Sequence, residues 1–234
     1  MLNLRQFYIL GLPIETPIGM CHFVQVKDFP DLCNYLNILS TSRLKIIYGY
    51  QKLNIKPETL GFVKTLPLFE MVRHAPDIKK AYTNLFTFIF KDENAFIRIQ
   101  DAETFDYIRQ LIMDMNCVKE EKINPNPEIQ AWVDKSKRLK AQEDGGMEFD
   151  DIVSSVATYN GLGYTSVNEM TIYQLYATFH RIASFKNYDT NTLFATVSTE
   201  KTDIESWCKH IDMFIEEKNG LSREEYEKMK KGIF

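Results

Sequence analysis

The sequence predicts a mainly α-helical (α+β) protein, with a small antiparallel β element in the N-terminal lobe and a helical C-terminal lobe. Apolar residues recur at helical spacing through much of the 234-residue chain. Two short β-type runs near the N-terminus flank a segment rich in glycine and proline. A hydrophobic fraction of 44% with 13% aromatic residues is sufficient to form a buried core.

The β element is predicted from the first 26 residues. Residues 5–10 and 21–26 are the two β-type runs, and the sequence GLPIETPIG between them is typical of a turn or hairpin. Residues 95–99 alternate apolar and polar side chains, so we expect a further short strand there.

Helices are predicted over most of the remaining N-terminal lobe. Apolar positions after Pro30 indicate one or two helices, and residues 66–90 indicate two more, punctuated by Pro67 and Pro76. Residues 101–115 predict an amphipathic helix. Its apolar face is formed by Phe105, Ile108, Ile112 and Met115.

A change in composition predicts the domain boundaries. Residues 119–148 are highly charged and contain two prolines and paired glycines, which is typical of a linker. Pro127 followed by apolar residues at helical spacing predicts a helix within part of this segment. We therefore expect an N-terminal α+β lobe at 1–118 and a helical C-terminal lobe at 149–234.

Helix starts in the C-terminal lobe are marked by capping-box spacing, in which a hydroxyl and an amide or carboxylate satisfy opposite backbone donors. The pairs are Ser166 with Glu169, Thr171 with Gln174, Thr202 with Glu205, and Ser222 with Glu225. Gly161 and Gly163 predict the turn before a central helix. The apolar stripe of that helix contains Ile172, Leu175, Tyr176, Phe179 and Ile182.

Charge and cysteine content restrict the class of protein. The 28 basic and 32 acidic residues provide no broad basic face, so nucleic acid is not expected as a partner. Four widely spaced cysteines in a chain of this size are typical of reduced thiols. The N-terminus shows no secretory pattern and no apolar run is long enough to cross a membrane, so we expect a cytosolic protein.

No catalytic or metal-binding pattern is apparent. Cys208 with His210 and Cys21 with His22 have no partners at metal-ligand spacing. A cysteine nucleophile paired with His180 or His74 stays open, because such partners meet only in the fold. Asp150 and Asp151 favour a helix start over an acid–base pair. GLG at 161–163 lacks the features of a phosphate-binding loop. We predict no enzyme activity, cofactor or small-molecule substrate.

Helix-turn-helix DNA binding is an alternative, since residues 152–182 can be read as helix, glycine turn and helix. The first turns of the second helix, however, contain Met170, Thr171, Ile172, Tyr173 and Gln174, with neither Arg nor Lys. A helix that reads bases needs polar reach and flanking phosphate contacts. The sequence therefore does not favour DNA binding.

Aromatic residues are dense in the C-terminal lobe, at Tyr159, Tyr164, Tyr173, Tyr176, Phe179, Phe185, Tyr188 and Phe194. They can form the core, or some can remain exposed as anchors for a partner. We predict Tyr173, Tyr176, Phe179 and Trp207 as partner-binding residues.

The C-terminal lobe resembles tail assembly chaperones of tailed bacteriophages that infect Gram-positive bacteria. The resemblance is carried by DDIVSSVATYNGLGYTSVNE, MTIYQLYATFHRIASFKNYDTNTLFATVS and WCKHIDMF. The upstream segments QVKDFPDLCNYLNILS and FDYIRQLIMDMNCVKEEKINPNPEIQ are similar to the same type of phage protein. The likeness extends over most of the chain, but it consists of helix starts and aromatic residues.

The resemblance implies a non-enzymatic protein that binds the tape measure protein while the tail is assembled in the host cell cytoplasm. Other tail proteins, and a second copy of the chain, are further partners that it leaves open. We expect the aromatic face of the C-terminal lobe to receive long amphipathic helices of the tape measure protein. The alternative is a structural component of the tail or baseplate, located in the virion tail.

Overall fold

The computed structural model describes residues 4–53, 56–121, 123–124, 126, 129–130, 132–136, 147–198 and 204–214. Its helices with defined bounds, numbered here along the chain, are α1 (Leu4–Leu10), α2 (Phe29–Leu39), α3 (Arg43–Lys52), α4 (Pro57–Val63), α5 (Leu68–His74), α6 (Pro76–Phe90), α7 (Ala102–Met115), α8 (Phe149–Asn160), α9 (Tyr164–Asn168) and α10 (Ile172–Val197). Residues 129–130 and 132–136 are also helical, in agreement with the helix predicted after Pro127. Strands β1 (Ile14–Thr16) and β2 (Gly19–Cys21) form one antiparallel hairpin. The predicted fold class is confirmed.

The hairpin overlaps the segment that was predicted to be a turn or hairpin, and β2 extends past that segment to Cys21. Ile14 pairs with Cys21 and Thr16 with Gly19, whose φ of 133° is accessible mainly to glycine. The prediction of a strand at residues 5–10 is wrong, because these residues form α1. A short apolar run cannot distinguish a strand from a helix. Here the helical conformation buries Tyr8, whose ring lies 5.8 Å from that of Phe23.

The strand predicted at residues 95–99 is also wrong. Phe96–Arg98 is a 3-10 helix, in which Phe96 and Ile99 are buried and Ile97 is exposed. Arg98 fixes the turn because it forms an ion pair with Asp92 and donates a hydrogen bond to the Ile18 carbonyl at 3.1 Å. The apparent alternation thus reflects a tight helical turn next to the hairpin.

The helices predicted in the N-terminal lobe are confirmed. Helix α2 has Pro30 in its first turn, and Ala75 separates α5 from α6, which begins at Pro76. Helix α6 packs against α2, α5 and β2. The four predicted apolar residues of α7 are each 0% exposed. Asp101 caps α7 by accepting a hydrogen bond from the Thr104 amide at 2.7 Å. The core of this lobe therefore follows the helical periodicity of the sequence.

The N-terminal residues and the C-terminal helices share one hydrophobic core. The Val26 amide donates to the Met170 carbonyl at 2.9 Å, and the Ile172 amide donates to the Val24 carbonyl at 3.0 Å. Phe29 and Phe149 stack with their ring centroids 4.1 Å apart. These contacts fix the start of α10 against the hairpin end of the N-terminal lobe. The boundaries proposed at 118 and 149 stay predictions.

The capping predictions have mixed outcomes. Thr171 caps α10 as predicted, since its hydroxyl accepts from the Gln174 amide at 3.1 Å and the Gln174 side chain accepts from the Thr171 amide at 2.8 Å. Ser166 does not start a helix, because Gly163 is already the N-cap of α9. A further capping box, Glu148 with Asp151, begins α8 and was not predicted. Thr202 and Ser222 lie outside the described residues.

Loss of the Thr171 cap is expected to destabilise the protein. Thr171→Ala removes the oxygen that satisfies the Gln174 amide, and loss of such a cap costs about 1 kcal/mol. We expect this decrease in the free energy of unfolding by urea denaturation. Thr190→Ala is the matched control, because Thr190 is exposed within the same helix and alanine favours the helical state. An equal loss for both variants would contradict the capping role.

Candidate partner-binding groove

A groove of about 630 Å³ lies between α1, the end of α8, the middle of α10 and residues 210–214. One wall is a stripe of α10 side chains at intervals of four residues, comprising Tyr173, Ala177, Arg181 and Phe185. This spacing places the four side chains on one face of the helix. The groove thus combines residues that are more than two hundred positions apart in sequence.

Helix α1 is fixed beside α10 at the floor of the groove. The Gln174 side-chain amide donates a hydrogen bond to the Ile9 carbonyl at 3.0 Å, near the C-terminal end of α1. Gly11 then ends the helix with a φ of 65°, where an added Cβ would lie 3.1 Å from the Thr171 methyl group. Glycine at this position allows α1 to approach the start of α10 closely.

Residues 204–214 cross α10 without forming a helix or strand. Their backbone is held by the Arg181 guanidinium, which donates from Nη1 to the carbonyls of Trp207 at 2.6 Å and Lys209 at 3.0 Å. Hydrogen bonds of this kind recognise backbone in any sequence, because a carbonyl is present at every residue. Arg181 therefore acts as a clamp for a peptide that has turns but no helix or strand.

Two aromatic anchors attach the same segment to the helices. Trp207 stacks on Phe185, with ring centroids 4.8 Å apart and an interplanar angle of 24°. Phe214 lies 6.0 Å from Tyr8 and 6.3 Å from Tyr173. Such ring pairs add to the stabilisation from apolar burial. The segment is thereby fixed at two sites that are separated by seven residues.

Charged groups line the α1 side. Arg5 Nη1 lies 2.8 Å from His210 Nε2, so this imidazole nitrogen accepts the hydrogen bond, and Arg5 Nη2 lies 4.0 Å from Asp212 Oδ2. Both side chains of the ion pair retain solvent contact, and exposed pairs of this kind contribute little to stability. Arg5 thus favours an acidic residue in the bound segment while holding it only weakly.

The structure brings two of the four predicted partner-binding residues to this groove. Tyr173 forms part of its floor and is only 7% exposed, and burial raises the pKa of its phenol. Trp207 is 42% exposed and belongs to the bound segment. Tyr176 and Phe179 pack against the core and do not line the groove. Their assignment to partner binding stays a prediction.

Sequence reasoning did not identify Arg5, Arg181, His210 and Asp212 as residues of a partner-binding site. The spacing of four residues from Tyr173 to Phe185 was a local signal for Arg181 and Phe185, because it identifies a helix face. No local signal connects Arg5 with residues 210–212, since this contact depends on how α1 packs against α10.

The start of α10 bears on the helix-turn-helix alternative. Ile172 and Leu175 are 0% exposed, and Tyr173 is almost as deeply buried. A recognition helix contacts base edges through the residues of its N-terminal turns. Because this turn of α10 packs into the core, its placement does not favour DNA binding.

The described residues also bear on the chemical alternatives. All four cysteines are free thiols, and burial raises the pKa of Cys21 and of Cys117 to about 12. A protonated thiol is a poor nucleophile, so these two do not favour cysteine catalysis. Among the residues with described positions, no group of three or more His, Cys, Asp or Glu is placed to hold a metal ion. None of the described helices is long and apolar enough to cross a membrane.

Comparison with known proteins identifies two matching family models. The YomV N-terminal domain matches residues 2–125, and the YomV second domain matches residues 140–212, which includes α8 to α10 and most of the bound segment. The SPbeta prophage-derived protein YomV of Bacillus subtilis strain 168 is 38% identical over 224 residues, covering 94% of each chain. No solved structure matches the chain.

Proposed function

The chain belongs to the YomV family, and on this premise we propose that it is a phage-encoded, non-enzymatic tail assembly chaperone that binds the tape measure protein. It is phage-derived, like its Bacillus subtilis relative. We propose that it acts in the host cell cytoplasm during tail morphogenesis. A structural component of the tail or baseplate is the alternative.

The observation that carries the proposal is the peptide segment bound against the groove. Residues 204–214 are bound by backbone hydrogen bonds from Arg181 and by aromatic contacts with Phe185 and Tyr173. Backbone hydrogen bonds supply affinity in peptide recognition, and side-chain pockets supply specificity. The surface thus has the chemistry to bind segments of another protein.

Co-purification tests this function. A tagged full-length chain co-expressed with the tape measure protein of the same phage is expected to retain that protein through affinity purification. Phe185→Ala is expected to reduce the retained amount about tenfold, because it removes the ring on which an aromatic anchor stacks.

Tyr164→Ala is the matched control for this experiment, because Tyr164 is an exposed aromatic residue of the same lobe outside the groove. It is expected to retain the tape measure protein at the wild-type level. If the wild-type chain retained a tail tube or baseplate protein but no tape measure protein, the structural alternative would replace the chaperone proposal.

A further inference from the structure

Residues 204–214 are bound to their own chain as a separate peptide ligand would be. The described part of this segment contains turns and bends but no helix or strand, and its contacts with α10 include those with Tyr173, Arg181 and Phe185. Segments within a folded core usually pair their backbone in helices or sheets. In residues 204–214, the Arg181 side chain supplies hydrogen bonds to two backbone carbonyls instead.

We propose that the groove is a binding site for a non-helical peptide segment, that residues 204–214 bind there in cis, and that the partner binds by displacing them. This deepens the proposed function and rests on it, since it states how the partner protein is recognised. It also changes the expected ligand. The sequence favoured long helices of the tape measure protein, whereas the segment bound in the structure contains turns and bends and no helix.

The contacts define the chemistry of that segment. Its first anchor is a large aromatic residue that stacks on Phe185, as Trp207 does. Its second anchor is an aromatic residue seven positions later, which enters the site of Phe214 beside Tyr8 and Tyr173. An acidic residue shortly before the second anchor would face Arg5, as Asp212 does. Arg181 binds the intervening backbone whatever its sequence.

The cis segment is held weakly enough to be displaced. Trp207 remains 42% exposed although it is stacked, and the pair of Arg5 with Asp212 is long and exposed to solvent. A volume of about 630 Å³ remains between the segment and the helices. Water fills an open space of this size, and a bulkier ligand would displace that water and bury apolar lining. A competing segment can therefore gain contacts that residues 204–214 do not make.

The test uses a fluorescein-labelled peptide with the sequence of residues 204–214 and the full-length chain. In the wild-type chain the tethered copy competes at an effective concentration in the millimolar range. Trp207→Ala removes the first anchor of that copy and leaves the groove intact. We expect fluorescence anisotropy to show at least tenfold tighter peptide binding to Trp207→Ala than to the wild-type chain.

Two further chain variants separate specific from nonspecific binding. Adding Arg181→Met to the Trp207→Ala chain is expected to weaken peptide binding at least tenfold, because the backbone clamp is lost. Adding Arg73→Met instead is expected to change nothing, since this exposed arginine lies on α5, away from the groove. A peptide lacking the tryptophan is expected to bind none of the chains measurably. Circular dichroism checks that each variant is folded.

Equal peptide affinity for the wild-type and Trp207→Ala chains would overturn the proposal, as would no saturable binding to Trp207→Ala. A wild-type dimer that the peptide converts to monomer would assign the occupant to a second copy and overturn the cis assignment. If the peptide bound but the tape measure protein was not retained, the tail-assembly role would be contradicted and the peptide-binding proposal would stand. If the tape measure protein was retained but the peptide did not bind, the displacement mechanism would be contradicted and the proposed function would stand.

Discussion

Replacing Phe105 by alanine is expected to lower the free energy of unfolding by about 3–5 kcal/mol. Phe105 is 0% exposed on α7, and its ring centroid lies 5.1 Å from that of Phe69 and 5.6 Å from that of Tyr82. The variant loses the apolar transfer free energy of the ring and leaves a cavity among helices α5, α6 and α7. Urea denaturation followed by circular dichroism measures the effect.

Tyr107→Ala is the matched control for Phe105→Ala. Tyr107 is an aromatic residue of the same helix but is 48% exposed, and substitutions at such positions change stability by about 0.5 kcal/mol or less. A loss below about 1 kcal/mol for Phe105→Ala, or similar losses for both variants, would show that α7 does not organise the core as described.

Replacing Arg109 by methionine is expected to destabilise the chain by about 3 kcal/mol. The guanidinium is buried and donates to the carbonyls of Leu39 at 2.9 Å and Thr41 at 3.3 Å, and to the Glu120 carboxylate at 2.5 Å. Methionine keeps the apolar stem but removes these hydrogen bonds, and hydrogen bonds that involve a charged group contribute about 1.5–3 kcal/mol each. The midpoint of urea unfolding at constant slope measures this change.

Glu120→Gln separates the contribution of the Arg109–Glu120 ion pair from that of the hydrogen bonds between Arg109 and the backbone carbonyls. It removes the charge of a partly exposed carboxylate and leaves both carbonyl contacts of Arg109 in place. An exposed or half-exposed pair contributes about 1 kcal/mol or less. If Glu120→Gln destabilised the chain as much as Arg109→Met, the ion pair rather than the carbonyl contacts would dominate the role of Arg109.

The helical framework was predictable because local periodicity determines which face of a helix is buried. Phe105 and Ile108 on α7 illustrate this, since their spacing alone identifies the face that is buried. The short apolar run that includes Tyr8 carried no such information, because one or two helical turns and a short strand have similar patterns. Its conformation is determined by packing against Phe23 and Tyr173.

The groove was only partly predictable for a related reason. The sequence identified Tyr173 and Trp207 as aromatic candidates, yet aromatic content cannot distinguish a ring on the floor of a groove from a ring on the surface. The contacts that define the groove join Arg5 to His210 and Arg181 to Trp207. The first of these depends on how distant elements meet in the fold, which no local spacing specifies.

Quantitative mass spectrometry of infected-cell lysate and purified phage particles tests the central claim most directly. A tail assembly chaperone acts during morphogenesis and is not retained, so we predict that the chain is abundant in lysate and depleted from particles relative to the major tail proteins. Retention in particles at a fixed copy number would contradict this account and identify the chain as a structural component of the tail or baseplate.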